Sequence, residues 1–215
     1  MLIRIALINN QYTVPKAFER FFAGRPDVRV QVFDFRNLDG GHLPPGEFDG
    51  VILTGTDDSP LHRPDLYSDE MTLVRSSQLP LLGICGGHQI MCLAHGANIV
   101  TLSSPIYGRT TILRIQAHPI LQGLPDSFTV FSKHRFCVLS PPSGFVTILR
   151  SDVGSHLYGV AHRERQQYGV QFHPERRNQG ERVLVNFLAL VSRRPQVFPR
   201  ICRTTADVTV DNEST

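Results

Sequence analysis

Leu81-Leu82-Gly83-Ile84-Cys85-Gly86-Gly87-His88-Gln89 is the stretch on which the reading of this chain turns. A short apolar run enters Gly83-x-Cys85-x-Gly87, and a helical pattern follows at once. This is the strand–nucleophile–helix turn that lifts a reactive side chain above a sheet, here with cysteine at the apex. The glycines have a steric reason: the apex residue takes unfavourable dihedrals, and side chains beside it would strike neighbouring backbone. Such a turn stands at the carboxyl edge of a parallel sheet, where open α/β folds bind ligands. A helix starting near Gly86 puts partial positive charge beside the sulfur and favours the thiolate. The competing reading makes Cys85 a small buried residue in an ordinary strand-to-helix turn. Cys92, two helical turns further on, fits that description as core filler.

Outward from this turn, residues 2–9, 28–35, 48–54 and 80–84 have strand patterns. Residues 14–23, 66–77 and 88–95 have helical spacing, the last stopping at Gly96 as a C-cap glycine. Short apolar strands separated by helices predict an α/β fold: an open, mostly parallel, flavodoxin-like sheet with helices on both faces. The second half changes character. Residues 109–115, 128–131, 145–150, 157–162 and 169–172 are strand-like and divided by turn residues, which predicts antiparallel additions. Residues 181–191 form an amphipathic closing helix. From Arg193 the pattern decays, so one domain over residues 1–192 and a mobile tail over 193–215 are expected.

Composition narrows the function classes. The chain is 41% hydrophobic and 19% charged with a net charge of +3 over 215 residues. That is globular, and without a dense basic stripe it gives no reason to expect nucleic acid. Arg163, Arg165, Arg176 and Arg177 gather around the last strand, as a solvated rim or as a surface that steers an acidic partner. Cys85, Cys92, Cys137 and Cys202 show neither metal-ligand spacing nor a disulfide framework, which favours a reducing, cytoplasmic setting. The N-terminal apolar run has the pattern of a buried first strand, not of a signal peptide. No apolar stretch approaches the ~20 residues of a membrane span.

A cysteine nucleophile needs an imidazole to take its proton and a third group to orient that imidazole. The run Tyr168-Gly169-Val170-Gln171-Phe172-His173-Pro174-Glu175 is a strand ending in His-Pro-Glu. Pro174 holds His173 extended and ends the ladder. Residues i and i+2 point the same way, so Glu175 can reach the imidazole and fix its tautomer. His88 either lines the pocket or sits on the helix surface. His95 and His118 mark a helix end and a turn, His42, His62, His156 and His162 have no partner at useful spacing, and no pair forms a metal motif.

With both motifs in view, GICGGHQ followed much later by VQFHPE resembles the paired signature of class I, triad-type glutamine amidotransferase domains. The resemblance spans residues 1–192, and HRERQQYGVQFHPE is closest in wording to the amidotransferase part of GMP synthases. It implies Cys85 as nucleophile, His173 as base, Glu175 as orienter, and Gln89 holding substrate glutamine. It also implies a substrate-touching loop over residues 131–136, hence Lys133, His134 and Arg135 as substrate contacts, with Arg135 where those proteins tend to carry glycine. Backbone N–H groups of Gly86 and Gly55, with Thr56 as a further candidate, would form the oxyanion hole. The loop Thr54-Gly55-Thr56-Asp57-Asp58-Ser59-Pro60 departs from the family's Gly-Gly-Pro-rich form, and its acidic pair suits an oxyanion site only if turned away. The expected chemistry is acyl transfer from the glutamine amide, with no metal or organic cofactor. No ATP-pyrophosphatase domain follows in this sequence, so a separate synthetase is the expected partner. A free-standing hydrolase of γ-glutamyl compounds and a non-catalytic regulatory module of the same fold remain as alternatives.

Overall fold

The structure is a computed structural model that describes residues 2–193. The tail expected from residue 193 onward therefore lies, beyond its first residue, outside the described residues. Among the described residues, nine strands form one sheet in the order β2-β1-β3-β4-β9-β8-β7-β5-β6. β1 (Ile3–Asn10), β2 (Val28–Asp34), β3 (Gly50–Thr56), β4 (Leu81–Ile84) and β9 (Gln167–Val170) are mutually parallel. β5 (Ile99–Arg114), β6 (Ser127–Val138), β7 (Phe145–Ser151) and β8 (Leu157–His162) are joined antiparallel. The parallel core with antiparallel additions matches the pattern expected from the sequence.

The parallel strands are apolar on both sides because both sides are covered. In β1, Ile3, Ile5 and Leu7 enter one core while Ala6 and Ile8 enter the other. The first core packs against α1 (Lys16–Ala23) and α4 (Glu181–Ser192) through Phe18, Phe21 and Phe187. The second packs against α2 (Ser68–Ser76) and α3 (Gly86–Ala94) through Leu73, Val74, Ile90 and Met91. α3 ends where Gly96 takes φ +82°, and the N–H groups of Gly96 and Ala97 donate to the carbonyls of Leu93 and Cys92, both at 2.9 Å. These are the two bonds of a glycine-terminated helix end.

Two elements are longer than expected. β5 begins at Ile99, not near residue 109, and its register shifts between Thr101 and Ile106 around Pro105. β6 runs to Val138, so Lys133, His134 and Arg135 lie in a strand and not in a loop. Pro105 cannot donate to the ladder, which accounts for the bulge that hid the first part of β5.

Candidate active site

β4 lies between β3 and β9, and all three point their carboxyl ends to the same edge. Whatever follows those strands therefore converges. After β4 comes Cys85, with φ 51° and ψ −105°, a conformation that a non-glycine residue holds only when its surroundings impose it. The surroundings are visible. The Cys85 N–H donates to the Val170 carbonyl at 2.8 Å, and the Gln89 N–H donates to the Cys85 carbonyl at 3.1 Å. A Cβ on Gly83 would come within 2.7 Å of the Gly87 carbonyl oxygen, and one on Gly87 within 2.5 Å of the Leu53 carbonyl oxygen. One on Gly86 would come within 2.3 Å of Thr56 Oγ1. Backbone packed this closely leaves no room for side chains on either flank of the turn.

His173 follows β9, and its backbone N–H is tied to the Phe131 carbonyl at 2.9 Å. Its Nδ1 is 2.7 Å from Glu175 Oε1, both side chains being buried. Since the carboxylate accepts, Nδ1 carries the hydrogen and Nε2 keeps a free lone pair. Nε2 is buried without a hydrogen-bond partner. A side chain begun at Gly55 would meet His173 Cε1 at 3.2 Å and Cys85 Cβ at 3.7 Å, so imidazole and thiol flank the same glycine. Burial opposes the imidazolium, but the neighbouring Cys85 and the bonded Glu175 carboxylate outweigh it and raise the His173 pKa well above the usual imidazole value. Asn178 Nδ2 donates to the His173 carbonyl at 2.8 Å and steadies the turn.

A cavity of about 390 Å³ opens over Cys85. Its lining includes Thr56 at the end of β3, Asp57 and Asp58 from the loop after it, Gly86 and Gln89 from α3, and Lys133, His134 and Arg135 from β6. That volume suits a small amino-acid amide. Thr56 lines the cavity, whereas Gly55 stands behind Cys85 against His173. The acidic pair is restrained: Asp57 Oδ2 accepts from the Tyr12 N–H at 2.9 Å and Asp58 Oδ2 from the Tyr12 hydroxyl at 2.7 Å.

The β6 residues are not equivalent. Lys133 and Arg135 have exposed side chains at the cavity mouth. His134 is buried with both nitrogens engaged, Nδ1 with the Phe136 carbonyl at 3.0 Å and Nε2 with the Tyr158 hydroxyl at 3.1 Å. Burial lowers its pKa to about 4, although the Phe136 hydrogen bond works the other way. Neutral His134 thus supports the wall. His88, expected at the pocket or on the helix surface, is fully buried with Nδ1 3.6 Å from Cys92 Sγ. Gln171, which the sequence reading passed over, lies two residues before His173 with Nε2 3.7 Å from Cys85 Sγ. The same i, i+2 spacing that pairs His173 with Glu175 would have pointed to it.

The four arginines divide. Arg176 and Arg177 share a groove of about 470 Å³ with Lys16, Arg20 and Phe131 beside the His-Pro-Glu turn. Arg163 and Arg165 sit in the turn between β8 and β9, at the opposite edge of the sheet, where Arg165 donates to the Arg75 carbonyl at 2.8 Å. The expected common rim is thus corrected: only Arg176 and Arg177 belong to it. Strand direction decides this, because residues before β9 and after β9 lie a full strand apart.

Among the described residues no group of three His, Cys, Asp or Glu side chains is placed to hold a metal ion, and no helix is long and apolar enough to cross a membrane.

The sequence pattern of the family described as Glutamine amidotransferase class-I matches residues 8–191. A glutamine-hydrolyzing GMP synthase subunit from Sulfolobus acidocaldarius is 34% identical over 146 residues, covering 67% of this chain and 77% of that one. The aminodeoxychorismate synthase of Streptomyces pristinaespiralis is 35% identical over 74% of this chain, which spans only 23% of that protein. In structure, a protein of GMP synthase subunit type from Thermoplasma acidophilum superposes with a TM-score of 0.77 at 24% identity, covering 89% of this chain and 95% of that one. The elbow cysteine, the buried His–Glu pair and the matched residues lead to one conclusion: the chain belongs to the class-I glutamine amidotransferase family.

Proposed function

We propose that this protein hydrolyses the side-chain amide of glutamine through a Cys85 thioester and delivers the ammonia to a separate synthetase of GMP synthase type. The observation that carries this reading is the convergence of strained Cys85 with the His173–Glu175 pair at one edge of three adjacent parallel strands. Cys85 gives its proton to His173 Nε2, and the thiolate attacks the amide carbonyl. The oxyanion forms against the N–H of Gly86 and an N–H of the Gly55–Thr56 segment, Thr56 being the one that lines the cavity. His173 then passes the proton to the departing nitrogen, so that ammonia leaves and a glutamyl thioester remains. Water, deprotonated by His173, opens the thioester and restores the thiol. Glu175 keeps Nε2 free for each transfer.

Lys133 and Arg135 at the mouth suit the α-carboxylate of glutamine. Both Nε2 hydrogens of Gln89 are used inside the protein, on the Phe136 carbonyl at 2.8 Å and on Gln171 Oε1 at 3.2 Å. Gln89 therefore offers the substrate its Oε1, as an acceptor. Arg176 and Arg177, with Lys16 and Arg20, are the surface we assign to an acidic partner. The unpaired thiols of Cys85, Cys92 and Cys137 favour a cytoplasmic location.

The test measures ammonia from glutamine with the purified chain alone, then with a candidate synthetase and its acceptor. Turnover that rises on adding the partner is expected. Rapid release from γ-glutamyl conjugates, unchanged by any partner, would transfer the protein to the free-standing hydrolases.

A further inference from the structure

The geometry points to Gln171 as a further catalytic residue, whose side-chain amide donates to Cys85 Sγ and holds the thiolate. This rests on the assignment of Cys85 as nucleophile and adds a group that the Cys–His–Glu triad does not include. The orientation of the amide is forced by its neighbours. The Phe136 carbonyl only accepts, so the Gln89 atom 2.8 Å away is the NH2 group. The second hydrogen of that group goes to the Gln171 oxygen at 3.2 Å. With its oxygen so fixed, Gln171 turns its own NH2 to Cys85 Sγ at 3.7 Å.

The amide has little freedom to do otherwise. Gln171 is fully buried, and its backbone N–H donates to the Tyr158 carbonyl at 3.0 Å. The acceptor that orients Gln89 is itself shared: neutral His134 donates Nδ1–H to the same Phe136 carbonyl, and the Tyr158 hydroxyl donates to His134 Nε2. A chain of oriented groups thus runs from Tyr158 to the sulfur.

The sulfur needs such a donor because its other polar neighbour is unfavourable to an anion. The Lys133 carbonyl oxygen is 3.6 Å from Sγ, where it accepts from the thiol S–H. Once the proton has gone to His173, that oxygen opposes the negative charge, and the Gln171 N–H compensates with a hydrogen bond to an ionised acceptor. The charged and titratable groups around Sγ are His173 with Glu175 behind it, Lys133, His134 and Arg135 on β6, Tyr107 on β5, Tyr158 on β8, and Asp57 and Asp58 on the loop after β3. None of these is altered by changing Gln171, so a shift in thiol reactivity isolates the amide.

The experiment is the pH dependence of Cys85 alkylation by iodoacetamide, which requires no partner, with kcat and KM for glutamine alongside. Gln171→Met keeps the volume and removes the donor. Gln171→Glu keeps the shape and the acceptor for Gln89 but presents a second anion to the sulfur. We expect the alkylation midpoint of Gln171→Met to rise by about one pH unit and its rate near neutral pH to fall about tenfold. Gln171→Glu shifts further in the same direction, and kcat falls in both variants by more than KM changes. A folded Gln171→Met with the wild-type midpoint overturns the inference. If that variant does not fold, an unshifted Gln171→Glu overturns it equally. Should wild-type Cys85 itself react no faster than Cys137, the proposed nucleophile fails, and that result is distinct from an unshifted variant of a reactive wild type.

Discussion

The parallel strands β3 and β4 and the antiparallel ribbon β5–β6 are built on opposite patterns of burial. Every residue of β4 is buried, and so is β3 from Gly50 to Gly55. Of the 16 residues in β5, only Ile99 and Ile112 are buried, and β6 alternates between core and solvent. The groups that we propose make and break bonds follow the fully buried strands, whereas the outer wall of the cavity belongs to the half-exposed ribbon. Covering both faces packs the edge of a strand closely, as the approach of Gly87 to Leu53 shows. A ribbon with one wet face can vary its outward residues without disturbing that edge. Substitutions in the first region should therefore stop turnover, and those in the second should tune binding.

Cys85→Ala is the largest break. Glutaminase activity should fall by at least ~10⁴-fold while the fold survives, since the change is small. A glutamine-like electrophile should label Cys85 and spare Cys92 and Cys137, whose thiols burial pushes up. Equal labelling of these three thiols by mass spectrometry would remove Cys85 from its role. Next comes Glu175→Gln, with a loss of ~10²- to 10⁴-fold in kcat, smaller than for His173→Ala, because an orienter does not enter bond-making. A wild-type rate in Glu175→Gln would dismiss the 2.7 Å contact as structural.

Gly86→Ala should cost about 10²-fold in kcat by shifting the proposed oxyanion donor. The atoms it strikes are Oγ1, Cγ2 and Cβ of Thr56, all removed by Thr56→Gly, so the double variant should regain part of the rate. Gly83→Ala strikes backbone at Gly87, which no side-chain change can relieve. Rescue in that case would show that the turn is looser than its spacing implies.

What the sequence made legible follows the same division. Residues 80–84 and the glycines about Cys85 announce themselves because burial on both faces leaves only apolar and glycine choices. The strand over 127–138 did so only over 128–131, because the next inward residues after Val130 are Ser132 and His134. Both are polar, and both are bonded to the Tyr158 hydroxyl, so the apolar alternation that marks a strand is missing there. The orientation of Asp57 and Asp58 was equally hidden, since it depends on Tyr12, about 45 residues away in sequence.

A smaller effect concerns stability beneath the β3 loop. Glu70 is fully buried, and its carboxyl pKa is raised to about 8 by burial, with the Asn10 hydrogen bond pulling it partly back. The folded state then holds this proton more tightly than the unfolded chain. Stability is fully present at low pH and is lost as pH rises from the ordinary carboxylate range through about 8. Glu70→Gln has no proton to lose, so it should be stabilising by ~1–3 kcal/mol near pH 8.5 and close to neutral near pH 5. Urea unfolding at both values checks this, and an equal shift at the two would refute the buried acid.

The smallest expected effect is Arg135→Ala, and it sharpens the comparison most directly. Arg135 is exposed on β6 at the mouth of the cavity, on the wet face of the ribbon, and no hydrogen bond ties it to Cys85 or His173. Its guanidinium is available to the substrate carboxylate, which stays unchanged through the reaction. A contact made equally in ground and transition states contributes to binding and not to the chemical step. Removing it should raise KM for glutamine by about 3- to 10-fold with kcat nearly constant, and added salt should narrow the difference between variant and wild type. Lys133→Ala should behave alike in its side chain while leaving the Lys133 carbonyl beside Sγ. If Arg135→Ala instead lowered kcat at unchanged KM, the ribbon would share in the chemistry, and the division between a buried reactive edge and a tunable wall would fail.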